Sequence, residues 1–270
     1  MRTSRAHHQH GFTMIELIMV IVIMGVIGSM VAVFMKSPID AYFDSARRAA
    51  LTDAADTTVR RMARDIRKAL PNSLRVPNNQ CLEFIPTKAG GRYRAEELVA
   101  GDNTSLNFSA ADASFNMLGS NNALPVNQRI VQDDVIAVYN LGITGADAYN
   151  QDNTSRVSAA PVDGAETRIP IDNKLFPLAS GSHRFHVIPS SEKIVAYVCS
   201  GDKLYRTASN TFTSACPTTG AVLADKVNSC NFVYNGSDLQ RNALVKLTVK
   251  FTHNNETVSL YHEVHVDNTP

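Results

Sequence analysis

Five sets of residues in this chain have types and spacing that could do chemistry. The first is Glu16, which heads a stretch, residues 17–35, that carries no charge. A carboxylate placed there needs a charged or hydrogen-bonding partner. The second is the four cysteines, Cys81, Cys199, Cys216 and Cys230. An even count fits two disulfides in an oxidising compartment, and the paired C-x-x-C spacing of a zinc site is missing. The third is the histidine pairs His183/His186 and His262/His265. On a strand, a spacing of three puts the two side chains on opposite faces, so they read as sheet-surface histidines rather than metal pairs. The fourth is the oxygen-rich loop of Asp147, Asn150, Asp152 and Asn153. It could hold calcium, but its spacing is not that of an EF-hand, and no metal is assigned. The fifth is the basic row Arg60, Arg61, Arg64, Arg67 and Lys68, with Asp56 and Asp65 interleaved. It reads as a solvated helix face or a source of subunit salt bridges, not as a nucleic-acid patch. G-x-S-x-G, H-E-x-x-H and P-loop patterns are missing, so no catalytic residue, no cofactor and no enzyme activity are expected.

The element that must position Glu16 is the apolar run itself. At about 1.5 Å per residue it is long enough to cross a bilayer core of about 30 Å. A cleaved secretory signal expects a shorter run and a small-x-small exit, and Val33-Phe34-Met35-Lys36 offers none. A plain membrane anchor fits the length but leaves Glu16 unexplained. A third reading is a helix that leaves the membrane to enter a polymer. Gly25/Ser29 and Gly28/Ala32 are small-x-x-x-small pairs that let helices approach closely. Net charge is +1 over 270 residues, and neither this value nor one lower by Arg2 and Arg5 suggests nucleic acid. Trp is absent and aromatics make up 7% of the chain, which argues against an aromatic sugar-binding groove.

A short basic leader, then Gly11-Phe12-Thr13, two residues, Glu16 and an apolar helix resembles the type IV prepilin signature. The resemblance implies cleavage after Gly11 by a membrane prepilin peptidase and methylation of the new N-terminus, Phe12. It implies that Glu16 meets the N-terminal amine of a neighbouring subunit during assembly. Glycine at the cut leaves no side chain to obstruct a peptidase.

After the run, Ser37-Pro38 is expected to kink or interrupt the helix. Apolar steps of three and four from Ile39 to Leu70 then predict an amphipathic helix ended by Pro71-Asn72. Beyond Leu74 the period is two. Strands are expected at 81–85, 134–140, 184–188, 194–199, 203–207, 230–234, 244–252 and 257–266. Asn254-Asn255 and Ser200-Gly201-Asp202 read as hairpin turns. Residues 90–181 are rich in Asn, Asp, Gly, Ala and Ser and predict long loops around one or two strands. Four Cys allow three connectivities. The nearest pairing joins Cys199 to Cys216 and leaves Cys81 with Cys230.

The fold class expected is α+β: a long N-terminal helix on an antiparallel sheet head, pilin-like. The segments are a leader at 1–11, a membrane or filament-core helix at 12–36, an amphipathic helix at 37–70 and a β-rich head at 71–270. The C-terminal stretch, from Tyr197-x-Cys199 through Cys230-x-Phe232-x-Tyr234 to Glu263-Val264-His265-Val266-Asp267, is similar to one branch, minor pilin-like proteins of the mannose-sensitive haemagglutinin (MSHA) pilus. J-type minor pseudopilins of type II secretion share the layout. A membrane-tethered exported binding protein with a fortuitous N-terminus is the alternative from another class. The resemblance implies other pilin or pseudopilin subunits, prepilin peptidase and an inner-membrane assembly platform as partners. It implies a single-pass inner-membrane protein with a periplasmic head, which enters an extracellular or periplasmic filament after assembly.

Overall fold

A computed structural model describes residues 11–213, 216–236 and 242–270. The leader expected at 1–11 lies outside these residues, Gly11 excepted. Contacts divide the chain into two units, Met1–Ala50 and Leu51–Pro270. Among the described residues the elements are one long helix, α1 (Met14–Ile66), three single-turn 3-10 helices and fourteen strands. In chain order the strands are β1 (Arg75–Asn78), β2 (Cys81–Phe84), β3 (Ala89–Arg92), β4 (Asp112–Met117), β5 (Val135–Ala137), β6 (Thr154–Arg156) and β7 (Thr167–Lys174). They continue with β8 (Arg184–Ile188), β9 (Ile194–Ser200), β10 (Lys203–Ser209), β11 (Ala221–Ala224), β12 (Val227–Asn235), β13 (Asn242–His253) and β14 (Glu256–Asp267). Every pairing between these strands is antiparallel, so the protein is α+β.

The helix is not interrupted at Ser37-Pro38. Pro38 withholds a single N–H, and the Ala-rich turns after it (Ala41, Ala46, Ala49, Ala50) propagate the helix across the gap. The end comes at Ile66 rather than residue 70. Lys68 N–H donates to Asp65 and Ala69 N–H to Ile66, both at 3.0 Å, the i→i+3 bonds of a tightened last turn. Leu70 N–H then donates to the Ile85 carbonyl at 2.8 Å, so the chain has already left the helix to join strand backbone.

Within Leu51–Pro270, α1 buries Leu51, Ala55, Val59, Met62, Ala63 and Ile66, a stripe at steps of three and four. Two sheets meet this stripe. One has the order β1-β2-β9-β10-β11 and the other β12-β13-β14. Alternate residues Leu82, Phe84, Val195 and Tyr197 of the first and Val245, Leu247, Val249 and Phe251 of the second share its core. Asn254 (φ 49°) and Asn255 (φ 67°) form the expected turn between β13 and β14. Both adopt the left-handed conformation that asparagine tolerates.

Residues 90–181 are not long loops around one or two strands. Strands β4, β5, β6 and β7 lie there, and β3 enters from its N-terminal end. Together with β8 they form the sheets β3-β8-β5-β6 and β4-β7. Their core includes Phe115, Ile136, Val157, Ile169 and Phe185, which are far apart in sequence. Short strands of this kind carry too few residues to show a period. Polar side chains brace the connections instead. Asn121 donates to the Ile130 carbonyl at 3.0 Å, and its own carbonyl accepts from Ile130 N–H at 2.8 Å. Strands β1 and β11 were likewise not expected, and β5 stops at Ala137 because Tyr139 turns to positive φ.

Three asparagines tie the end of the helical region to the chain's last residues. Asn72 Nδ2 donates to the Asn140 carbonyl at 2.9 Å and to the Asn268 carbonyl at 3.2 Å. Asn140 Nδ2 donates to the Pro71 carbonyl at 2.7 Å. Gly142 sits against this cluster with φ +69°, and a Cβ there would lie 2.6 Å from the Asn72 carbonyl oxygen. Gly142→Ala is expected to lower stability by about 1–3 kcal/mol through strain and backbone displacement. Thermal unfolding of the detergent-solubilised chain measures it, and an unchanged midpoint would refute the constraint.

Candidate functional site

The N-terminal unit places Gly11, Phe12 and Glu16 together at the start of α1. Gly11 and Phe12 precede the helix and are exposed, Phe12 at 90%. Nothing within 4 Å would meet a Cβ at Gly11. The Gly11-Phe12 bond is therefore exposed, uncrowded backbone outside the helix, open to a protease.

Thr13 is the residue that sequence reasoning passed over. It stands just before the first helical residue, and its hydroxyl accepts from Glu16 N–H at 3.3 Å. In return, Glu16 Oε2 accepts from Thr13 N–H and from the Thr13 hydroxyl, both at 3.0 Å. This reciprocal arrangement is a capping box: the N-cap threonine and the glutamate three residues on satisfy one another's backbone donors. The Thr-x-x-Glu spacing was available in the sequence as its signal. The box holds the carboxylate on Thr13, the residue that follows Phe12.

The apolar run beyond it is helical and solvent-facing in the isolated chain. An 18-residue window of α1 is long and apolar enough to cross a membrane, and none of it is buried. Ser29, its polar interruption, donates its hydroxyl to the Val26 carbonyl at 2.8 Å. That bond leaves the surface apolar. Beyond the adjoining helix backbone, no atom of the described residues lies within 4 Å of a Cβ built at Gly25 or Gly28. These two glycines answer no packing need among the described residues.

A profile of the prokaryotic N-terminal methylation motif matches residues 6–32. The chain carries that motif. The match covers Gly11, Phe12, Thr13 and Glu16 and most of the apolar run. The methylation motif supports a type IV pilin-like or pseudopilin-like substrate of prepilin peptidase, assembled with other pilins and anchored by a single membrane-capable helix. No curated protein and no solved structure matches the chain.

All four cysteines are paired, but not as their spacing suggested. Cys81 joins Cys216 and Cys199 joins Cys230, with Cα atoms 6.1 and 6.2 Å apart. The reason is the pleat. Cys81 lies opposite Val198, so it shares that residue's face, where Ala196 and Cys216 also gather. Cys199 is one residue on and points to the other face, toward α1, with Leu204, Cys230 and Phe232. A Cys199–Cys216 bond would have to pass through the sheet.

The remaining candidates are distributed through Leu51–Pro270. In the loop once considered for calcium, Asp147 pairs with Arg75 at 2.6 Å and accepts from Tyr149 N–H at 3.0 Å. Asp152 accepts from the N–H groups of Gly145 at 3.0 Å and Asp147 at 3.3 Å, and Asn153 donates to the Val138 carbonyl at 3.0 Å. Protein donors thus take up both Asp147 oxygens and Asp152 Oδ2, whereas Asn153 Oδ1 is buried without a hydrogen-bond partner among the described residues. His183 lies in the turn before β8, whereas His186 is half-buried in it, and His262 faces α1 while His265 is exposed. Neither pair converges. Burial, assisted by Arg184, pushes the His186 imidazole pKa below its ordinary value, against a smaller opposing effect of Asp267.

His186 lines an open cleft of about 610 Å³ with Lys68, Lys88, Asp65, Glu192 and Arg206. Both carboxylates in that lining bind Arg206, Asp65 at 2.9 Å and Glu192 at 2.9 Å. Lys88 pairs at 2.6 Å with Asp134, which is buried. Arg67 and Lys68 complete the charged lining.

Proposed function

We propose that this chain is a minor pilin-like subunit of the MSHA type, cut after Gly11 and methylated on Phe12 by a prepilin peptidase. It then joins a type IV pilus or primes its assembly. The observation that carries this reading is the exposed Gly11-Phe12 bond one turn ahead of Glu16, inside the methylation motif. Residues 17–35 anchor the precursor in the inner membrane and later form filament core. Gly25 and Gly28, which answer no packing need among the described residues, supply close approach between neighbouring helices. The paired cysteines support a periplasmic head, since disulfides form and persist in oxidising compartments. The role is structural rather than catalytic.

Mass spectrometry of the mature protein tests the processing step. The expected chain begins at N-methyl-Phe12, and an intact Met1 would sink the proposal. Recovery of the chain in filaments sheared from the cell surface then separates the pilus reading from a J-type pseudopilin of type II secretion.

A further inference from the structure

The basic row on α1 is less neutralised than its sequence suggests. Arg60, Arg61, Arg64, Arg67 and Lys68 are all exposed. Asp56 pairs with Arg60 at 2.6 Å. Asp65, the other interleaved acid, turns inward: it accepts from the Tyr197 hydroxyl at 2.8 Å and from Arg206 Nε at 2.9 Å. Among the described residues, Arg61, Arg64, Arg67 and Lys68 have no carboxylate partner.

Arg60, Arg64 and Arg67, with Asp56 beside Arg60, line a groove of about 620 Å³ that His262 of β14 also lines. That strand is the outer edge of its sheet. Its register with β13 is continuous from Asn242↔Asp267 to His253↔Glu256, and it contains no proline or lysine. Edge strands are ordinarily blunted by bulges, prolines, lysines or shortness. Twelve unbulged residues have none of these safeguards.

We infer that β14 and the Arg60–Arg64–Arg67 row together dock an acidic, extended segment of another polypeptide, which adds as a strand to the β14 edge. Its main chain bonds the edge-facing backbone groups of β14 beyond Glu256, and carboxylates at alternate positions face the arginines. The spacing agrees. Alternate residues of a strand repeat at about 6.8 Å, and the four-residue step from Arg60 to Arg64 rises about 6 Å. The surface lies wholly within Leu51–Pro270, so the inference does not depend on N-terminal processing.

The test uses the full chain in nanodiscs of zwitterionic phosphatidylcholine. The probe is a fluorescent peptide of alternating Glu and Thr, about ten residues long, the length of such a strand. Binding is expected, weakening with salt. Arg64→Glu/Arg67→Glu, at exposed positions, is expected to lower affinity at least about tenfold, with Arg64→Gln/Arg67→Gln intermediate. Amides of β14 are expected to gain hydrogen-exchange protection in the complex. A central proline in the peptide is expected to lower affinity about tenfold by removing a ladder donor. The proposal is overturned by no binding, by binding insensitive to charge reversal, or by binding without protection of β14. Binding to anionic vesicles with none to the peptide also overturns it, as does pairing of β14 with a second copy of this chain in place of the peptide.

Discussion

A Glu16→Ala chain is expected to insert into the membrane normally and to disappear from sheared filaments. Insertion is insensitive because the uncharged stretch 17–35 already drives it, and removing a carboxylate from the apolar run only helps. Assembly is sensitive for a different reason. If Glu16 neutralises a neighbour's N-terminal amine within the helix bundle, its loss leaves that amine buried and unpaired. Breaking such a pair costs about 3–5 kcal/mol. At about 1.4 kcal/mol per factor of ten, incorporation should fall by about a hundredfold or more.

The capping box complicates the alanine variant, because Glu16 also satisfies Thr13 N–H. Loss of a cap costs about 0.5–2 kcal/mol on its own. Glu16→Gln separates the two roles, since glutamine serves at this position of a capping box but carries no charge. Loss of both variants from filaments supports the charge role. Recovery of Glu16→Gln at normal levels, with Glu16→Ala absent, would assign Glu16 to capping alone. Normal recovery of both would refute the pairing. Quantitative blotting of membrane and sheared fractions provides the readout.

The second large effect concerns Cys81–Cys216. The two cysteines are 135 residues apart, against 31 for Cys199–Cys230. In the chain-entropy description a loop that long contributes about 5 kcal/mol, and measured losses for native disulfides are about 2–5 kcal/mol. Cys81→Ala/Cys216→Ala is therefore expected to lower the unfolding midpoint by on the order of 10 °C. The bond also sits where β2 meets β9, so its loss frees the segment that brings Cys216 to that sheet face. The pairing itself is directly checkable. Trypsin cuts after Arg75, Lys88, Lys193, Lys203, Arg206 and Lys226 put the four cysteines on four peptides. Non-reducing mass spectrometry should find the Cys81 peptide linked to the Cys216 peptide. A Cys199–Cys216 link would overturn the sheet register described above.

The residues at the N-terminus were legible because their meaning is local. Gly11, Phe12 and Glu16 fall within six consecutive positions at the start of α1, whereas the part Thr13 plays as a cap came only from the structure. The long helix was legible for the same reason, apart from its passage through Pro38 and its early end. Apart from the four-residue β11, the strands from Arg184 onward were legible because they are long enough to show alternation, and β13 and β14 run to twelve residues each.

What the tertiary structure decided is which face and which partner. Sequence distance favoured Cys199 with Cys216, but the pleat puts adjacent residues on opposite sides of a sheet, and the register of β2 on β9 assigned each cysteine its side. Composition made residues 90–181 look like loops, because Phe115, Ile169 and Phe185 form a core only once distant strands pair. The charge of the α1 face was decided by Tyr197 and Arg206, residues more than a hundred positions from Asp65, which draw that carboxylate inward and leave Arg64 and Arg67 uncompensated. Sequence alone determined the processing motif and the membrane-length helix, which depend on neighbours along the chain. Disulfide pairing, the second core and the basic groove depend on neighbours across it.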